Sequence, residues 1–386
     1  MKKRHYIGFA ALEICFWCFH ACFVCYASSY FLSSSISNTV VSLLLAGYML
    51  LSFVGSIVWG SLCDSLGANK KVFLMCIAVS AALALLIFFN PGNTVLLAFA
   101  YPLLGFFFLP QSANADSWLL SACHHDQKIY GRIRATPSFV YAFCAALIGR
   151  LINAHGYGVM LVGTLFFAVG VAVSAILLPD AKRSGAGDTL AITRKEYVSL
   201  FLNRPYRRLI IILFLCSLAV SPITNLKIVM LERVGGNVSH VGIDSFASAM
   251  TQVPFFFFAG LLAKVSLRLR YVLMTAFSLG LILICLVAKS PLMVIMGSVV
   301  FNIGYGIMMP TMREVTEKVV PENLRNLGHN LSDSVLNSLA AMVSLVYAGV
   351  VMDNLGITVL LVLCAMIASA GLTVVLTGKK EYEADA

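Results

Sequence analysis

Twelve long apolar segments occupy most of this chain, and the last six repeat the first six at an offset of 200 residues. Segments of about 20 residues with few charges are long enough to cross the hydrocarbon core of a bilayer. They must be helical, because an isolated strand would leave its backbone groups unpaired in lipid. The chain is therefore predicted to be an all-α membrane protein with twelve transmembrane helices in two parallel six-helix repeats. The residue pairs that mark the repeat are Gly60 and Gly260, Pro110 and Pro310, Gly149 and Gly349, and Gly156 and Gly356.

Composition supports this interpretation, since hydrophobic residues make up 60% of the chain and charged residues only 11%. Soluble domains contain about 45–50% and about 25%, respectively. We predict an N-terminal six-helix bundle at 1–179, a cytoplasmic linker at 180–207, a C-terminal bundle at 208–378 and a polar tail at 379–386. The predicted spans are 6–32, 38–62, 71–90, 94–120, 135–154, 157–178, 208–232, 241–263, 271–288, 291–312, 329–351 and 357–377.

Lysine and arginine residues are distributed unequally between the two predicted sides of the membrane. With the N-terminus inside, 23 of the 27 fall in cytoplasmic loops and helix ends, and this bias orients multi-span proteins. Both termini are therefore predicted to be cytoplasmic, in a plasma (inner) membrane of bacterial type. The formal net charge of +10 reflects this topology and contact with the lipid bilayer, so no nucleic-acid partner is expected.

The loop between the second and third segments carries a recognisable motif. Gly60, Asp64 and Gly67, followed by Lys70 and Lys71, resemble the signature loop of the major facilitator superfamily, a family of transporters. The glycines permit a tight turn and close helix approach, and the aspartate can accept backbone or basic donors. The resemblance implies that these residues form a conformational latch between the two halves. A chance turn is the alternative interpretation.

A second motif opens the fifth segment, where the sequence 130–134 reads Tyr-Gly-Arg-Ile-Arg, with Asp116 18 residues before Arg134. It resembles the lactose permease and oligosaccharide–proton symporter branch, which has phenylpropionate and nucleoside relatives. The resemblance implies that Asp116 and Arg134 bind solute hydroxyls and that Tyr141 stacks on the solute. Ser138 shares a helix face with Arg134 and Tyr141. The alternative is an Asp116–Arg134 ion pair that only holds helices together.

The first segment has two contrasting helix faces. Glu13, Trp17 and His20 recur on one face, and ionisable residues inside an apolar helix indicate a cavity-lining surface. We therefore include Glu13 and His20 among the candidate solute-binding residues, the alternative being hydrogen bonds to neighbouring helices. Four cysteines on the other face are expected to favour close helix packing and not to bind a metal. These are Cys15, Cys18, Cys22 and Cys25.

Gln252 departs from the pattern of the branch, and Lys264 departs from the signature loop of the superfamily. Gln252 stands where relatives have a glutamate that serves sugar recognition and proton coupling, so it remains a solute-binding candidate that cannot ionise. In the counterpart of the signature loop, Lys264 stands where an aspartate would be. The proton-coupling candidates are Glu13, Asp116 and Asp333. A uniporter is the alternative to a proton symporter.

Several further polar residues carry structural expectations. Lys227 and Asp244 could pair as an outward-side gate or clamp, while Arg313 and Glu314 are expected to be solvated at the inner end of the tenth segment. Pro137 is expected to disturb the first turns of the fifth segment.

The whole pattern favours a secondary transporter that moves a small polar solute, such as a sugar, by alternating access around a central site. A drug or metabolite exporter of the same fold and a transporter-like receptor without flux remain open as alternatives. We expect no enzyme, because the sequence contains no phosphate-binding loop, nucleophile elbow or metal triad. No cofactor is expected, and the protein is expected to act as a monomer with a proton as the possible coupling ion.

Overall fold

The computed structural model describes residues 3–66, 70–122, 127–180, 199–257, 262 and 264–377. Within these ranges every regular element is a helix. A 3-10 turn lies at Val24–Tyr26 and another at Glu322–Leu324, and a π-helical turn lies at Val335–Leu339. The α-helices are Lys3–Cys22, Ala27–Ser33, Asn38–Leu66, Lys70–Phe89, Thr94–Phe108, Gln111–Ala122, Gln127–His155, Gly158–Leu177, Arg204–Asn225, Lys227–Glu232, Val238–Phe257, Leu267–Val287, Pro291–Val319, Arg325–Ser334, Ala340–Leu355 and Ile357–Thr377.

Among the described residues, 11 helices are long and apolar enough to cross a membrane. A twelfth helix, Val238–Phe257, is 20 residues long and lies where the eighth span is predicted. The predicted all-α membrane fold is therefore confirmed. We number the spans one to twelve as His5–Ser33, Asn38–Cys63, Lys70–Phe89, Thr94–Ala122, Thr136–His155, Gly158–Leu177, Arg204–Asn225, Val238–Phe257, Leu267–Val287, Pro291–Val319, Leu327–Leu355 and Ile357–Thr377.

The sequence repeat reappears as a repeat of backbone conformation. Gly156 has φ +81° between spans five and six, and Gly356 has φ +87° between spans eleven and twelve. Residues with a Cβ rarely adopt this left-handed region, so glycine ends both helices in the same way. The 200-residue offset is thus a property of the fold as well as of the sequence.

The chain divides into two compact units. The first unit comprises Met1–Thr189 and Asn237–Phe246, and the second comprises Leu190–Gly236 and Ala247–Ala386. The predicted domain boundaries stay a prediction, and 181–198 and 378–386 lie outside the described residues. The helix of span seven begins at Arg204 rather than at 208, because Asn203 caps it by accepting a hydrogen bond from the Tyr206 N–H.

Span one packs closely on span six in the first unit. A Cβ placed on Gly163 would come within 2.8 Å of Cys22 Sγ, and one on Gly170 within 2.8 Å of Cys15 Sγ. Each glycine therefore provides the space that a thiol fills. For Cys15 and Cys22, the predicted role in close helix packing is confirmed.

The same unit holds a second close crossing, between span five and the start of span eight. A Cβ on Gly242 would lie 2.6 Å from the Ala145 carbonyl oxygen and 2.7 Å from Tyr26 Oη. The Tyr26 hydroxyl donates a hydrogen bond to that same Ala145 carbonyl. This crossing explains why the first turns of span eight belong to the first unit.

Two expectations about charged and proline residues are wrong. Glu314 is not solvated in the expected way, because Arg270 binds it through two contacts, Nη1–Oε2 at 2.6 Å and Nη2–Oε1 at 3.3 Å. Lys318 Nζ also lies 3.0 Å from Oε1 of the same carboxylate. Pro137 does not disturb the first turns of its helix, since the helix begins ten residues earlier, at Gln127, and continues through the proline to His155.

Candidate functional site

The second unit contains a half-open cavity of about 260 Å³ among spans seven, eight, ten and eleven. None of the lining residues in the described part of the chain is charged. Such a lining suits a neutral, polar ligand, because a buried ion without a partner would be costly. The polar lining residues are Ser217, Ser221, Thr224, Asn225, Gln252, Asn302, Tyr305 and Asn337, and the others are Cys216, Val220, Phe301, Met308, Leu336 and Ala341.

Asn302 fixes the orientation of Gln252 within this cavity. The Asn302 Nδ2 group donates to the Ser298 carbonyl at 2.7 Å, so its Oδ1 must be the atom that faces Gln252. Gln252 Nε2 donates to that oxygen. The remaining side of the Gln252 carboxamide, with its carbonyl oxygen, is then available to a ligand as an acceptor.

A longer polar chain supports this pair from the outer part of span ten. Lys227 is buried, with 6% of its surface exposed, and its Nζ donates to Ser298 Oγ. Ser298 thus receives a hydrogen bond on its hydroxyl from Lys227 and on its carbonyl from Asn302. Lys227 and Asp244 belong to different units, and the predicted pair between them stays a prediction.

Asn337 of span eleven is a further polar residue of the cavity lining. Tyr305 Oη lies 3.4 Å from Asn337 Oδ1, so the Asn337 NH₂ group is oriented away from the tyrosine as a donor. The aromatic rings of Phe301 and Tyr305 lie 6.0 Å apart between centroids and form an apolar surface beside these amides.

Asp333, a predicted proton carrier, does not line the cavity. It lies one helical turn before Asn337, and its Oδ2 is 3.7 Å from Arg313 Nη2. The Asp333 side chain is 35% exposed. Because partly solvated ion pairs add little stability, its pair with Arg313 is weak. Its coupling role stays a prediction.

The first unit brings several predicted site residues into one aromatic cluster. The His20 ring lies 5.8 Å from the Tyr141 ring and 5.7 Å from Trp17, and Tyr141 meets Trp17 edge-on at 6.3 Å. Phe108 stacks on His20, with the ring centroids 6.2 Å apart. Within the described part of the chain, His20 Nδ1 is buried without a hydrogen-bond partner. His20 and Tyr141 therefore share one polar–aromatic surface.

The other predicted residues of this unit have different environments. Glu13 is buried, with 1% exposure, one turn before Trp17. Asp116 is half-buried on the helix Gln111–Ala122, and Ser138 is exposed on span five. The side chain of Arg134 lies outside the described residues, so the predicted Asp116–Arg134 pair stays a prediction.

The signature loop is described only in part. The helix that contains Gly60 ends at Leu66, and 67–69, with Gly67, and the side chain of Asp64 lie outside the described residues. Lys70 Nζ donates to the Ile176 carbonyl at 2.6 Å and to the Leu178 carbonyl at 2.8 Å. It thereby anchors span three to the end of span six inside the first unit.

The remaining residues of this loop and its counterpart add two points. Lys71 is exposed. In the second unit, Arg268 Nη2 donates to the Leu376 carbonyl at 3.3 Å. Leu376 is the residue equivalent to Ile176 in the repeat. The latch between the halves stays a prediction.

Sequence reasoning found Gln252 but missed most of the cavity lining. Ser217, Ser221, Thr224 and Asn225 recur at helical spacing along an otherwise apolar span seven, and this stripe is a pattern that could have identified the cavity-facing side. Asn302 is the only amide in the apolar stretch 291–308, and such an isolated polar residue in a span also indicates function.

Comparison with known proteins places these features in a family. A maltose permease from Geobacillus stearothermophilus is 24% identical over 241 residues, an alignment that covers 62% of this chain and 60% of the permease. The nucleoside transporter NupG has the same fold, with a TM-score of 0.80 at 13% identity over 100% of this chain and 99% of that chain. A POT family transporter bound to a thioalcohol-conjugated peptide has a TM-score of 0.73 at 12% identity, over 98% and 96% of the two chains.

The family assignment rests on the sequence itself. The profile of the MFS_1 like family matches residues 9–361, which is most of the chain. The described helices, their repeat and the polar cavity agree with this match. The chain therefore belongs to the MFS_1 like family.

Proposed function

We propose that this permease moves a small, uncharged, hydroxyl-rich solute across the plasma (inner) membrane by alternating access. Sugars are the proposed solute class. Both termini are cytoplasmic in this proposal. The observation that carries it is the cavity of the second unit, whose polar lining, among the described residues, consists of amides and hydroxyls with no charged side chain.

The chemistry of the lining matches that of a sugar. A sugar hydroxyl both donates and accepts, and burying it without partners costs about 1–3 kcal/mol. The Gln252 carbonyl oxygen supplies an acceptor, and the Asn337 amide supplies a donor. The rings of Phe301 and Tyr305 supply an apolar surface for the C–H face of a sugar ring. The likeness to a maltose permease over 241 residues supports the same solute class.

Proton symport is the second part of the proposal. Gln252 cannot ionise, so the proton must use another group. We assign the coupling to the carboxylates of the first unit, because Glu13 is buried and Asp116 half-buried in an apolar bundle. Ionised carboxyl groups at membrane depth carry a high energetic cost, and such residues usually serve ion transfer.

Uptake by proteoliposomes tests both parts. The labelled panel contains maltose, a glucoside, a galactoside, a nucleoside and an aromatic acid, each with and without an inward proton gradient. We expect gradient-driven accumulation of one sugar, with loss of the accumulation in Asp116→Asn or Glu13→Gln. Gln252→Leu should reduce uptake, whereas Thr373→Val, which removes a hydroxyl outside the cavity lining, should not.

Three other outcomes of the uptake experiment would each refute a part of the proposal. Uptake that only equilibrates under the gradient would refute the symport part and leave a uniporter. Transport restricted to the nucleoside or the aromatic acid would refute the sugar class. Absence of flux for every compound, with intact folded protein, would refute the transport of these solute classes.

A further inference from the structure

Span eleven departs from α-helical geometry where it borders the cavity. The α-helix Arg325–Ser334 is followed by a π-helical turn at Val335–Leu339, and α-helix resumes at Ala340. The Ala340 N–H bonds to the Val335 carbonyl, five residues back. In an α-helix that N–H would bond to the Leu336 carbonyl, four residues back. The Leu336 carbonyl therefore lacks the backbone N–H donor that it would have in an α-helix.

Ser217 of span seven supplies a donor to this carbonyl. Its Oγ donates to the Leu336 carbonyl oxygen at 2.6 Å, and the bond is buried. A serine hydroxyl has one hydrogen, so the contact of 3.2 Å between Ser217 Oγ and Ser221 Oγ requires Ser221 to donate. The π turn is thus held by a side chain 119 residues away in the sequence.

The turn also determines which side chains of span eleven border the cavity. Leu336, Asn337 and Ala341 all line it. Residues five apart, such as Leu336 and Ala341, point about 140° apart around a regular α-helix. The i→i+5 bonding of a π turn brings them towards the same side. Asn337 is carried on this widened turn and remains exposed to the cavity.

We propose that Asn337 is a solute-binding residue and that Ser217 is the positioning residue that holds the π turn presenting it. The Asn337 NH₂ group would donate to a hydroxyl oxygen of the solute, and the Gln252 carbonyl oxygen would accept from a hydroxyl group. Single π turns of this kind are rare and are often found at functional sites. This inference rests on the proposed function, because it takes the cavity as the solute site.

The position of Asn337 can be tested without any solute. Asn337→Cys is treated with a hydrophilic thiol reagent, and labelling at position 337 is measured by peptide mass spectrometry, because the chain has other cysteines. Adding Ser217→Ala, or deleting Ser338 to remove the extra residue of the turn, should lower the labelling rate at least fivefold. Ser217→Thr should restore it.

Ser344→Ala is the matched control. Ser344 lies in the same span, is fully buried and donates to the Ala341 carbonyl three residues before it, so this change removes a comparable hydrogen bond without involving the π turn. Its labelling rate should equal that of Asn337→Cys alone. Equal labelling in the Ser217→Ala and Ser344→Ala backgrounds would overturn the positioning role of Ser217.

Binding of the transported sugar tests the proposed solute-binding role of Asn337. Asn337→Ala should raise Kd about tenfold, as expected for a lost hydrogen bond, and Ser217→Ala should raise Kd several-fold. In the double variant, Ser217→Ala should add no further loss, because residues that act through one contact are not additive.

The outcomes separate this inference from the proposed function. An unchanged Kd in Asn337→Ala, with sugar transport intact, would overturn the binding role and leave the permease function standing. Full additivity in the double variant would show that Ser217 affects binding independently of Asn337, which would overturn its positioning role. Failure of every sugar to bind would refute the proposed function and the binding role with it, while the labelling result would still decide the placement of Asn337.

Discussion

Lys70 and Arg268 donate to equivalent backbone carbonyl groups in the two repeats. Lys70 Nζ donates to the Ile176 carbonyl, and Arg268 Nη2 donates to the Leu376 carbonyl, 200 residues further along the chain. Each basic side chain thereby satisfies a carbonyl in the last turn of the sixth helix of its own repeat, where the helix dipole favours positive charge. The two repeats keep this contact although their loop sequences differ.

Removal of the Lys70 side chain should loosen the end of span six. Lys70→Ala eliminates two charged hydrogen bonds to backbone carbonyls, and we expect the free energy of unfolding to fall by about 1–2 kcal/mol. Thermal unfolding in detergent measures the change. Lys71→Ala is the control, because that side chain is exposed, and an equal loss of stability in both variants would contradict the assigned contact.

The Arg270–Glu314 pair should be much more sensitive. Arg270 is 4% exposed, so Glu314→Gln leaves a buried guanidinium without its counter-charge, which costs about 3–5 kcal/mol in comparable proteins. The double variant Arg270→Met with Glu314→Leu should recover most of this loss. Lys318, whose side chain is 65% exposed, serves as the control, and Lys318→Ala should cost less than about 1 kcal/mol. A double variant no more stable than Glu314→Gln would contradict this account.

Gln252→Glu should strengthen the pH dependence of transport. A protonated glutamic acid can donate to Asn302 Oδ1 as Gln252 does, whereas an ionised carboxylate would face that oxygen without a hydrogen. The variant should therefore gain activity relative to the parent as the pH falls. Proton-dependent uptake rates measured from mildly acidic to mildly alkaline pH provide the check. Superimposable pH profiles for parent and variant would count against it.

Arg134→Ala should abolish solute binding with little loss of folded protein. This prediction rests on the sequence alone, on the 18-residue spacing between Asp116 and Arg134 and on the resemblance that it carries. Kd of the purified variant for the transported sugar is the measurement. Arg150→Ala, at an exposed arginine in the same helix, is the matched control. Unchanged affinity in Arg134→Ala would remove this residue from the site.

The fold could be predicted from the sequence because its determinants are local. Apolar length selects the spanning helices, and a glycine that must adopt positive φ, such as Gly156 or Gly356, marks the end of a helix at the same place in each repeat. These features need no knowledge of which helices are neighbours.

The cavity was harder to predict because its lining depends on contacts between distant segments. Gln252 was identified from its place in a motif, but its partner Asn302 is 50 residues away, and nothing local shows that the two amides meet. Glu314 was misjudged for the same reason, since the Arg270 that pairs with it lies on another helix. The π turn depends on a hydroxyl from span seven, so local propensity in span eleven does not predict it.

Among the described residues the cavity lining carries no charged side chain, and this has an electrical consequence. An uncharged solute in an uncharged site contributes nothing to the work done by the membrane potential. Any current carried during uptake would then come from the coupling ion alone. The ratio of charge moved to labelled sugar accumulated would count ions per transport cycle directly, without correction for the solute.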